Sequence, residues 1–259
     1  MVASPGRRAL LFHAGGVPLA LPLGEVREIA RVRPGEAELR VRGESMRALG
    51  VAAALGREAG PAPFALALAE PGAPALLVEA LDGIADLADA EVLSLPGRTA
   101  LPAPPPFRAA VLLRDALWLE LEPRVLAGGP RPGPAVRPLP EAPPSGRELL
   151  CDRGGTRLAV PISLLVQVVE PARVHPLPLA PAGLAGLLHH GRALHPVLDA
   201  AALLGQPAGG DPRVLLLLDA GGSTAGVLVD RVRGVGEGDP GGPVRRPAWD
   251  ALDGALSPG

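Results

Sequence analysis

Short apolar segments joined by glycine-rich turns run along most of the chain. In "RELLCDRGGTRLAVP" (147–161), two such segments flank Gly154 and Gly155, and glycine readily adopts the positive φ angles that a tight hairpin needs. A second hairpin pattern is "PRVLLLLDAGGSTAGVLVDRV" (212–232), whose continuous apolar run predicts a strand buried on both faces. This spacing of short strands and turns predicts a mostly β protein built as small barrels.

Brief helical patterns occur between the predicted strands. The apolar residues of "LGEVREIA" (23–30) and "ISLLVQVV" (162–169) recur at helical spacing, so we predict a short amphipathic helix in each. Asp199 precedes "AAALLG" (200–205), where its carboxylate can accept a hydrogen bond from the first helical turn. Gly205 can then end that helix in a left-handed conformation.

The chain contains an internal repeat. The segment "RALLFHAGGVPLALPLGEV" (8–26) aligns without gaps on "RELLCDRGGTRLAVPISLL" (147–165). Two later blocks align in the same order, "RALGVAAALG" (47–56) with "PVLDAAALLG" (196–205) and "ALLVEALDGIA" (75–85) with "GVLVDRVRGVG" (226–236). A period of about 140 residues is too long for a solenoid repeat, so the matched blocks predict two homologous domains.

A stretch rich in proline and glycine separates the two copies. The segment "AGGPRPGPAVRPLPEAPPSG" (127–146) holds seven prolines and four glycines. Such a composition is expected to bury too little apolar surface to order itself, and its prolines favour an extended chain. We therefore predict a first domain over 7–127, a linker over 128–146 and a second domain over 147–259.

Charge and cysteine content exclude several classes of function. The 25 basic and 27 acidic residues give a net charge of −2, which argues against a nucleic-acid partner. A single cysteine rules out an internal disulfide framework and fits a reducing compartment. The chain shows no signal-peptide pattern and no apolar stretch long enough to cross a membrane, so we expect a cytoplasmic protein without membrane insertion.

The residues with the most chemical potential lie in "GLLHHGRALHPVLD" (186–199). Its histidines and aspartate do not have a recognised zinc-ligand spacing. Adjacent residues of a strand point to opposite faces, so His189 and His190 cannot readily bind one ion. A surface turn and a helix cap account for the segment, and we predict no metal site, no cofactor site and no catalytic residue.

Two further nucleophile candidates also have structural interpretations. Cys151 aligns with Phe12 of the first copy, an apolar strand position, which predicts a core thiol. Neither Ser163 nor Ser223 lies in a G-x-S-x-G sequence. Both serines are therefore predicted to belong to turns, and we expect no enzymatic activity.

The order of these elements resembles the CheW-like domain of bacterial chemotaxis. That family has a segment of the form G-V-x-N-x-R-G-x-x-x-P-V-x-D before a short helix. Gly186, Pro196, Val197 and Asp199 hold the corresponding places in the second copy. The first copy keeps "VRG" (41–43) and resembles a more diverged member of the family.

The resemblance implies a fold, a function and a binding region. It implies two tandem domains, each of two small five-stranded β-barrels with short helices, in a non-enzymatic adaptor or scaffold. Family members link chemoreceptor signalling domains to the regulatory domain of the CheA histidine kinase. The resemblance places partner contacts at two turns, whose residues are Val41, Arg42, Gly43, His190, Gly191 and Arg192.

The second copy departs from the family pattern at two places. His189 stands at the family's asparagine position, and Arg192 comes one place late in the turn, which puts binding by this copy in question. The chain also ends at "WDALDGALSPG" (249–259), where the family has one more strand and helix. We therefore expect a barrel that is incomplete at its C-terminus, with an open edge that another chain or the linker can pair with.

Two other classes of function stay open at this point. A diverged structural protein that serves motility or polar localisation would keep the fold but not bind the CheA regulatory domain. A metal-dependent hydrolase built on the histidine segment would bind metal. Binding to the kinase domain and a metal assay on purified protein distinguish these alternatives.

Overall fold

The fold was established from a computed structural model of the chain. It describes residues 8–33, 38–41, 43–96, 105–126, 133, 135–170, 173–207, 210, 212–220, 222–236 and 243–255. The chain divides into two compact units, the first formed by Met1–Leu95 with Pro102–Pro132 and the second by Pro96–Leu101 with Gly133–Gly259. Each unit is described separately below.

Unit 1 consists mainly of antiparallel hairpins arranged in two sheets. Its strands are β1 (Arg8–Ala14), β2 (Val17–Pro22), β3 (Val26–Arg31), β4 (Glu38–Val41), β5 (Glu44–Gly50), β6 (Phe64–Leu68), β7 (Ala75–Val78), β8 (Ala80–Asp86), β9 (Glu91–Leu93), β10 (Phe107–Leu113) and β11 (Ala116–Leu121). One sheet has the order β8-β1-β2-β11-β10-β9 and the other β3-β6-β7-β5-β4.

Unit 2 has the same plan in its matching elements. Its strands are β12 (Glu148–Arg153), β13 (Thr156–Pro161), β14 (Leu165–Val169), β15 (Leu184–His190), β16 (Ala193–Asp199), β17 (Val214–Ala220), β18 (Ser223–Val229), β19 (Arg231–Gly236) and β20 (Val244–Arg245). Its sheets have the orders β19-β12-β13-β20 and β14-β17-β18-β16-β15.

The two units share strand order, strand direction and register. In each five-stranded sheet the first strand of the unit's second hairpin, β4 or β15, lies at the sheet edge. The second strand of that hairpin runs parallel to its inner neighbour, as β5 does with β7 and β16 with β18. The parallel contact of β2 with β11 recurs between β13 and β20. The prediction of a mostly β fold with repeated architecture is confirmed.

The predicted amphipathic helices after the first hairpins are wrong. Each segment forms a single 3₁₀ turn, Leu23–Glu25 or Ile162–Leu164, and then continues as β3 or β14. Residues of β3 alternate between partly buried and exposed along the strand. Its pairing with β6 satisfies the backbone groups that a helix would have satisfied internally. Tertiary pairing therefore outweighs the helical spacing of a short segment.

The helices that do form are single turns. They are α1 (Val51–Ala54), α2 (Pro123–Leu126), α3 (Ala200–Leu203) and α4 (Leu252–Ala255). Asp199 caps α3, since its side chain accepts a hydrogen bond of 2.8 Å from the Ala201 amide. Gly205 follows with a φ of 69°, so both predicted end signals of this helix are confirmed. No helix in the described part of the chain has the length and apolar character that crossing a bilayer requires.

The C-terminal segment takes part in the first sheet of unit 2. Strand β20 runs beside β13, and the buried Trp249 follows it at the start of a 3₁₀ turn. The Trp249 indole donates a hydrogen bond of 2.7 Å to the Ala159 carbonyl, so an aromatic side chain satisfies the backbone just past the short pairing of β20. Among the described residues, unit 2 has no counterpart of β9 and β10.

Part of the predicted linker lies along this incomplete edge. We call residues 135–142 the strap. Its Ala142 amide donates to the Arg246 carbonyl at 2.6 Å, and the Ala248 amide donates to the Pro140 carbonyl at 2.8 Å. Glu141 pairs with Arg245 and also accepts a hydrogen bond from the Arg246 amide. The strap therefore occupies part of the edge beside β20, although its composition predicted an unpacked segment.

Apolar anchors also hold the strap against unit 2. Val136 and Leu139 are buried, and the Leu139 amide donates a hydrogen bond of 2.8 Å to the Leu203 carbonyl at the end of α3. Two apolar side chains with several backbone bonds are enough to order a segment whose remaining residues are mostly exposed. The boundaries predicted as 7–127, 128–146 and 147–259 stay a prediction.

Asp152 links the first hairpin of unit 2 to the edge strand β19. Its carboxylate accepts hydrogen bonds from Arg231 and Arg233. The Arg233 hydrogen bond, and then that of Arg231, hold the pKa of Asp152 below its usual range despite the opposing effect of burial. The carboxylate therefore stabilises the folded state above the ordinary pKa of aspartate, and this contribution is lost as the pH falls through the depressed folded-state pKa.

We expect the Asp152→Asn variant to lose stability at neutral pH and to show a weaker dependence on pH below about 5. The loss at neutral pH should be about 1 kcal/mol, because the partner arginines are partly exposed to solvent. Thermal unfolding of both proteins at several pH values measures this. Parallel curves for variant and parent across the acidic range would contradict the assignment.

Candidate functional site

The two predicted contact turns occupy equivalent places in their units. In unit 1, Val41 pairs with Glu44 across the β4–β5 hairpin, and in unit 2, His190 pairs with Ala193 across the β15–β16 hairpin. Each hairpin therefore closes through two residues. By this register, Gly191 stands at the position of residue 42, and Arg192 stands at that of Gly43.

In unit 1 the turn rises from a packed apolar base. Val41 is only 3% exposed and belongs to a cluster with Leu39, Met46, Ala65, Ala67 and Ala75. Gly43 is exposed and has a φ of 87°, a backbone conformation that favours glycine. Arg42 lies outside the described residues. Val41 thus anchors the turn, while Gly43 belongs to the part that solvent and partners can reach.

An ion pair beside this turn was not predicted from the sequence. Arg27 of β3 donates a hydrogen bond of 2.8 Å to Glu44, the first residue after the turn. A second guanidinium nitrogen of Arg27 lies 3.5 Å from the Met46 sulfur. The pairing fixes the start of β5 against β3, and its charged groups enlarge the polar surface around the turn.

In unit 2 the turn carries imidazole and guanidinium groups. Gly191 and Arg192 are exposed, and Gly191 has a φ of 64°. The rings of His190 and His195 lie 6.4 Å apart, centre to centre. Below them, β15 and β16 contribute to a buried cluster of Leu188, Val197, Leu215, Leu217 and Leu228. As in unit 1, a rigid apolar base presents a short polar turn.

The histidine segment is not arranged as a metal centre. Across the described residues, no group of three or more histidine, cysteine, aspartate and glutamate side chains is placed to hold an ion. His195 contacts the Thr224 carbonyl through its Nδ1 at 3.3 Å, whereas Asp199 points to a buried arginine. Burial, followed by the charges of Arg173 and His189, lowers the pKa of nearby His175.

The buried partner of Asp199 is Arg153, which the sequence did not single out. Arg153 donates to both Asp199 oxygens, from Nε at 2.7 Å and from Nη2 at 2.6 Å. Its Nη1 donates to Asp230 at 2.7 Å. Since Arg153 ends β12 while Asp199 ends β16, the ion pairs connect the two sheets of unit 2. They are structural and lie at the opposite end of β16 from the β15–β16 turn.

Cys151 lies in the core of unit 2, as its alignment with Phe12 predicted. It is fully buried in β12. Burial, with a smaller effect from the Asp152 charge, raises the pKa of its thiol to about 12. A thiol in this environment stays protonated at neutral pH and is a poor nucleophile.

Unit 1 also contains a small charged pocket. Arg108 pairs with Glu25 and Glu122 there, and Arg124 pairs with Glu70. The Glu122 hydrogen bond, followed by that of Glu25, raises the pKa of Arg108 above its usual range. Because the guanidinium and carboxylate groups are paired with one another, the pocket presents no strong excess of either charge to a ligand.

The match to a family of known proteins falls in the second half of the chain. Residues 148–242 match the family model described as CheW-like domain. The chain is similar to a solved structure titled scaffolding protein TtCheW from Thermoanaerobacter tengcongensis, with 20% identity and a TM-score of 0.34. That match covers 38% of this chain and 68% of the other. No curated protein matches the chain.

The family match falls on unit 2, and the strand order of unit 1 repeats that of unit 2. The matched range runs from the start of β12 beyond the end of β19, so it includes the β15–β16 turn and every strand of the two sheets except β20. Residues 148–242, in the second half of the chain, are therefore similar to the CheW-like domain family.

Proposed function

We propose that this protein is a non-enzymatic adaptor of a chemotaxis-type signalling system. It would link a chemoreceptor signalling domain to the regulatory domain of a CheA-type histidine kinase, in the cytoplasm. The observation that carries the proposal is the family match over 148–242 together with the repetition of the same strand order in unit 1. Two modules in one chain raise the effective concentration of the second contact once the first has formed.

The contact regions in this proposal are the two equivalent turns. The first comprises Val41, Arg42 and Gly43, and the second comprises His190, Gly191 and Arg192. The exposure of Gly43, Gly191 and Arg192 supports it, as does the buried base beneath each hairpin. A rigid turn that carries an arginine offers several hydrogen-bond donors at little entropic cost.

Unit 1 is proposed to make the stronger contact. Its turn has the Arg-Gly order of the family, whereas unit 2 has Gly191 followed by Arg192 at the same two places. Moving the arginine by one position in a two-residue turn changes the direction in which its side chain leaves the backbone. The buried anchor also differs, because Val41 is replaced by the partly exposed His190.

We expect Arg42→Glu to weaken capture of the receptor or kinase domain about tenfold or more, because a charge of opposite sign replaces the proposed contact. The thermal midpoint should stay close to that of the parent, as expected for the solvated turn that the sequence predicts. Pull-down and titration with a purified kinase regulatory domain and a receptor signalling fragment measure this. Arg57→Glu is the matched control, since Arg57 is an exposed arginine of the same unit.

The outcomes separate the site from the function. If Arg42→Glu captures the partner domain as well as the parent does, the assignment of the contact to this turn is wrong and the adaptor proposal stays in place. Failure of the intact parent to bind either domain would overturn the adaptor proposal. That result would favour the alternative of a CheW-like structural protein in another assembly, such as motility or polar localisation.

A further inference from the structure

We propose that this chain binds a second copy of itself by pairing strand β8 of one copy with strand β19 of the other. The two strands are equivalent elements of the two units, and each is the terminal strand of its sheet. The inference goes beyond the adaptor function and does not depend on it, because it rests on the edges, charges and exposed apolar residues of the two units.

The two edges carry opposite charges. Strand β8 contains Asp82 and Asp86 and no basic residue, whereas β19 contains Arg231 and Arg233 and no acidic residue. All four are exposed. Two edges of like charge repel each other when they meet, and two edges of opposite charge attract. The edge of unit 1 is therefore complementary to the edge of unit 2 and not to itself.

The opposite charges stand at aligned positions of the two units. The repeat aligns Asp82 with Arg233, and His13 with Asp152. In unit 1, Asp82 pairs with His13 at 2.7 Å, and in unit 2, Arg233 pairs with Asp152 at 2.7 Å. Each pair holds its edge-strand charge in place against the neighbouring strand. Asp82 keeps 43% and Arg233 keeps 40% of the side chain exposed, so both remain accessible to a partner.

Both edges also present an exposed branched apolar side chain at the same place. Ile84 is 56% exposed and Val235 is 51% exposed, and the strand registers place them opposite the equivalent residues Leu10 and Leu149. Single exposed apolar side chains are common on protein surfaces, and here the aligned position of the edge strand is exposed in both units. Their repetition in the two units indicates a shared docking position beside the charged residues.

The backbone of each edge strand is also accessible to a partner strand. Each edge strand has a bulge with a glycine of positive φ, Gly83 in β8 and Gly234 in β19, and no atom of the described residues lies within 4 Å of where a Cβ would be. Bulges and charges usually prevent indiscriminate pairing of edges. Here the opposite signs restrict pairing to one combination, β8 with β19. Such a contact is head-to-tail and can extend beyond a dimer.

The test is sedimentation velocity of the intact chain and two charge variants at low salt over a wide concentration range. One variant is Asp82→Lys with Asp86→Lys. The other is Arg231→Glu with Arg233→Gln, which keeps a donor toward Asp152. We expect the parent to associate, each variant alone to associate at least about tenfold more weakly, and an equimolar mixture of the variants to associate again. Added salt should weaken association of the parent.

Circular dichroism of each variant checks that the fold is retained. The restored association of the mixture provides a second check, because misfolded variants would not recover. A parent that stays monomeric at every concentration would overturn the proposal. Association that survives unchanged in both variants, or variants that retain the fold and stay monomeric when mixed, would overturn it as well. None of these results bears on capture of a kinase or receptor domain, which tests the adaptor function separately.

Discussion

Replacing Arg153 with methionine is expected to destabilise unit 2 by about 3–5 kcal/mol. The guanidinium is almost completely buried and donates two hydrogen bonds to Asp199 and one to Asp230. Methionine fills most of the volume but leaves the buried Asp199 carboxylate with only the Ala201 amide among the partners described above. An uncompensated buried charge is costly, so the loss should far exceed that of a surface ion pair.

A Trp118→Phe background makes this measurable. Its remaining tryptophan, Trp249, is buried in unit 2, so its fluorescence during denaturant unfolding reports on that unit. Arg245→Met is the matched control in the same unit, because Arg245 pairs with Glu141 at an exposed site and should cost much less. In an Asp199→Asn background the effect of Arg153→Met should shrink. Equal losses for Arg153→Met and Arg245→Met would show that the buried pairs do not stabilise the fold.

The hairpins and the repeat were predictable because their signals are local. Each turn needs a glycine where φ is positive, and "RGGT" and "HAGG" supply it at matched positions in the two copies. The continuous apolar run of β17 marks a central strand, and Leu215, Leu216 and Leu217 are buried on both of its faces. Period and turn chemistry act over a few residues, so one sequence is enough to read them.

The buried ion pairs were not predictable, because they join residues far apart in the chain. Arg153 and Asp199 are separated by 46 positions, and no local pattern marks them. The repeat gives no help, since Ala14 and Gly50 stand at the aligned places of unit 1. Asp199 was interpreted as a helix cap, which is correct, but its role as a buried anion required the fold.

The helix predicted at β3 was wrong, and the packing of the strap was not apparent from its composition, for a related reason. Spacing in "LGEVREIA" is compatible with helix and strand, and pairing with β6 decides between them. The strap is poor in apolar residues, yet its backbone bonds to 246 and 248 depend on an edge that the rest of unit 2 leaves open. Segments whose structure is determined by a distant partner cannot be assigned from local composition.

For the candidate site, the contact turns were proposed from the sequence. The structure distinguishes the buried residue at the base of a turn from the exposed residues at its tip. The hairpin register places Gly43, Gly191 and Arg192 at the tips. Val41 was proposed as a contact residue and is buried, so its contribution to binding would be to hold the turn. Arg27 and Glu44, which pair beside the turn, had no sequence signal, because their proximity results from the folding of β3 against β5.

Replacing Trp249 with alanine is expected to cost about 3–5 kcal/mol, because a large buried side chain is removed near the end of the chain. The indole is 2% exposed, and it donates to the Ala159 carbonyl where β20 ends its pairing with β13. Trp249→Phe should cost less, about 1–2 kcal/mol, since it keeps most of the apolar volume and removes mainly the hydrogen bond. Comparing the free energies of unfolding of Trp249→Ala, Trp249→Phe and the parent therefore separates the contribution of packing from that of the hydrogen bond.

Hydrogen exchange of the intact chain, followed by mass spectrometry, gives the readout for each unit. Peptides from β13 should lose protection in Trp249→Ala by a factor that corresponds to the lost stability, and those from β2 in unit 1 serve as the internal control. The reason is that the described part of unit 2 has no counterpart of β9 and β10, so the C-terminal segment and the strap cover the β13 side of the sheet. Unchanged protection of β13 in Trp249→Ala would mean that the sheet is stable without its aromatic cover, and that the C-terminal segment only rests on it.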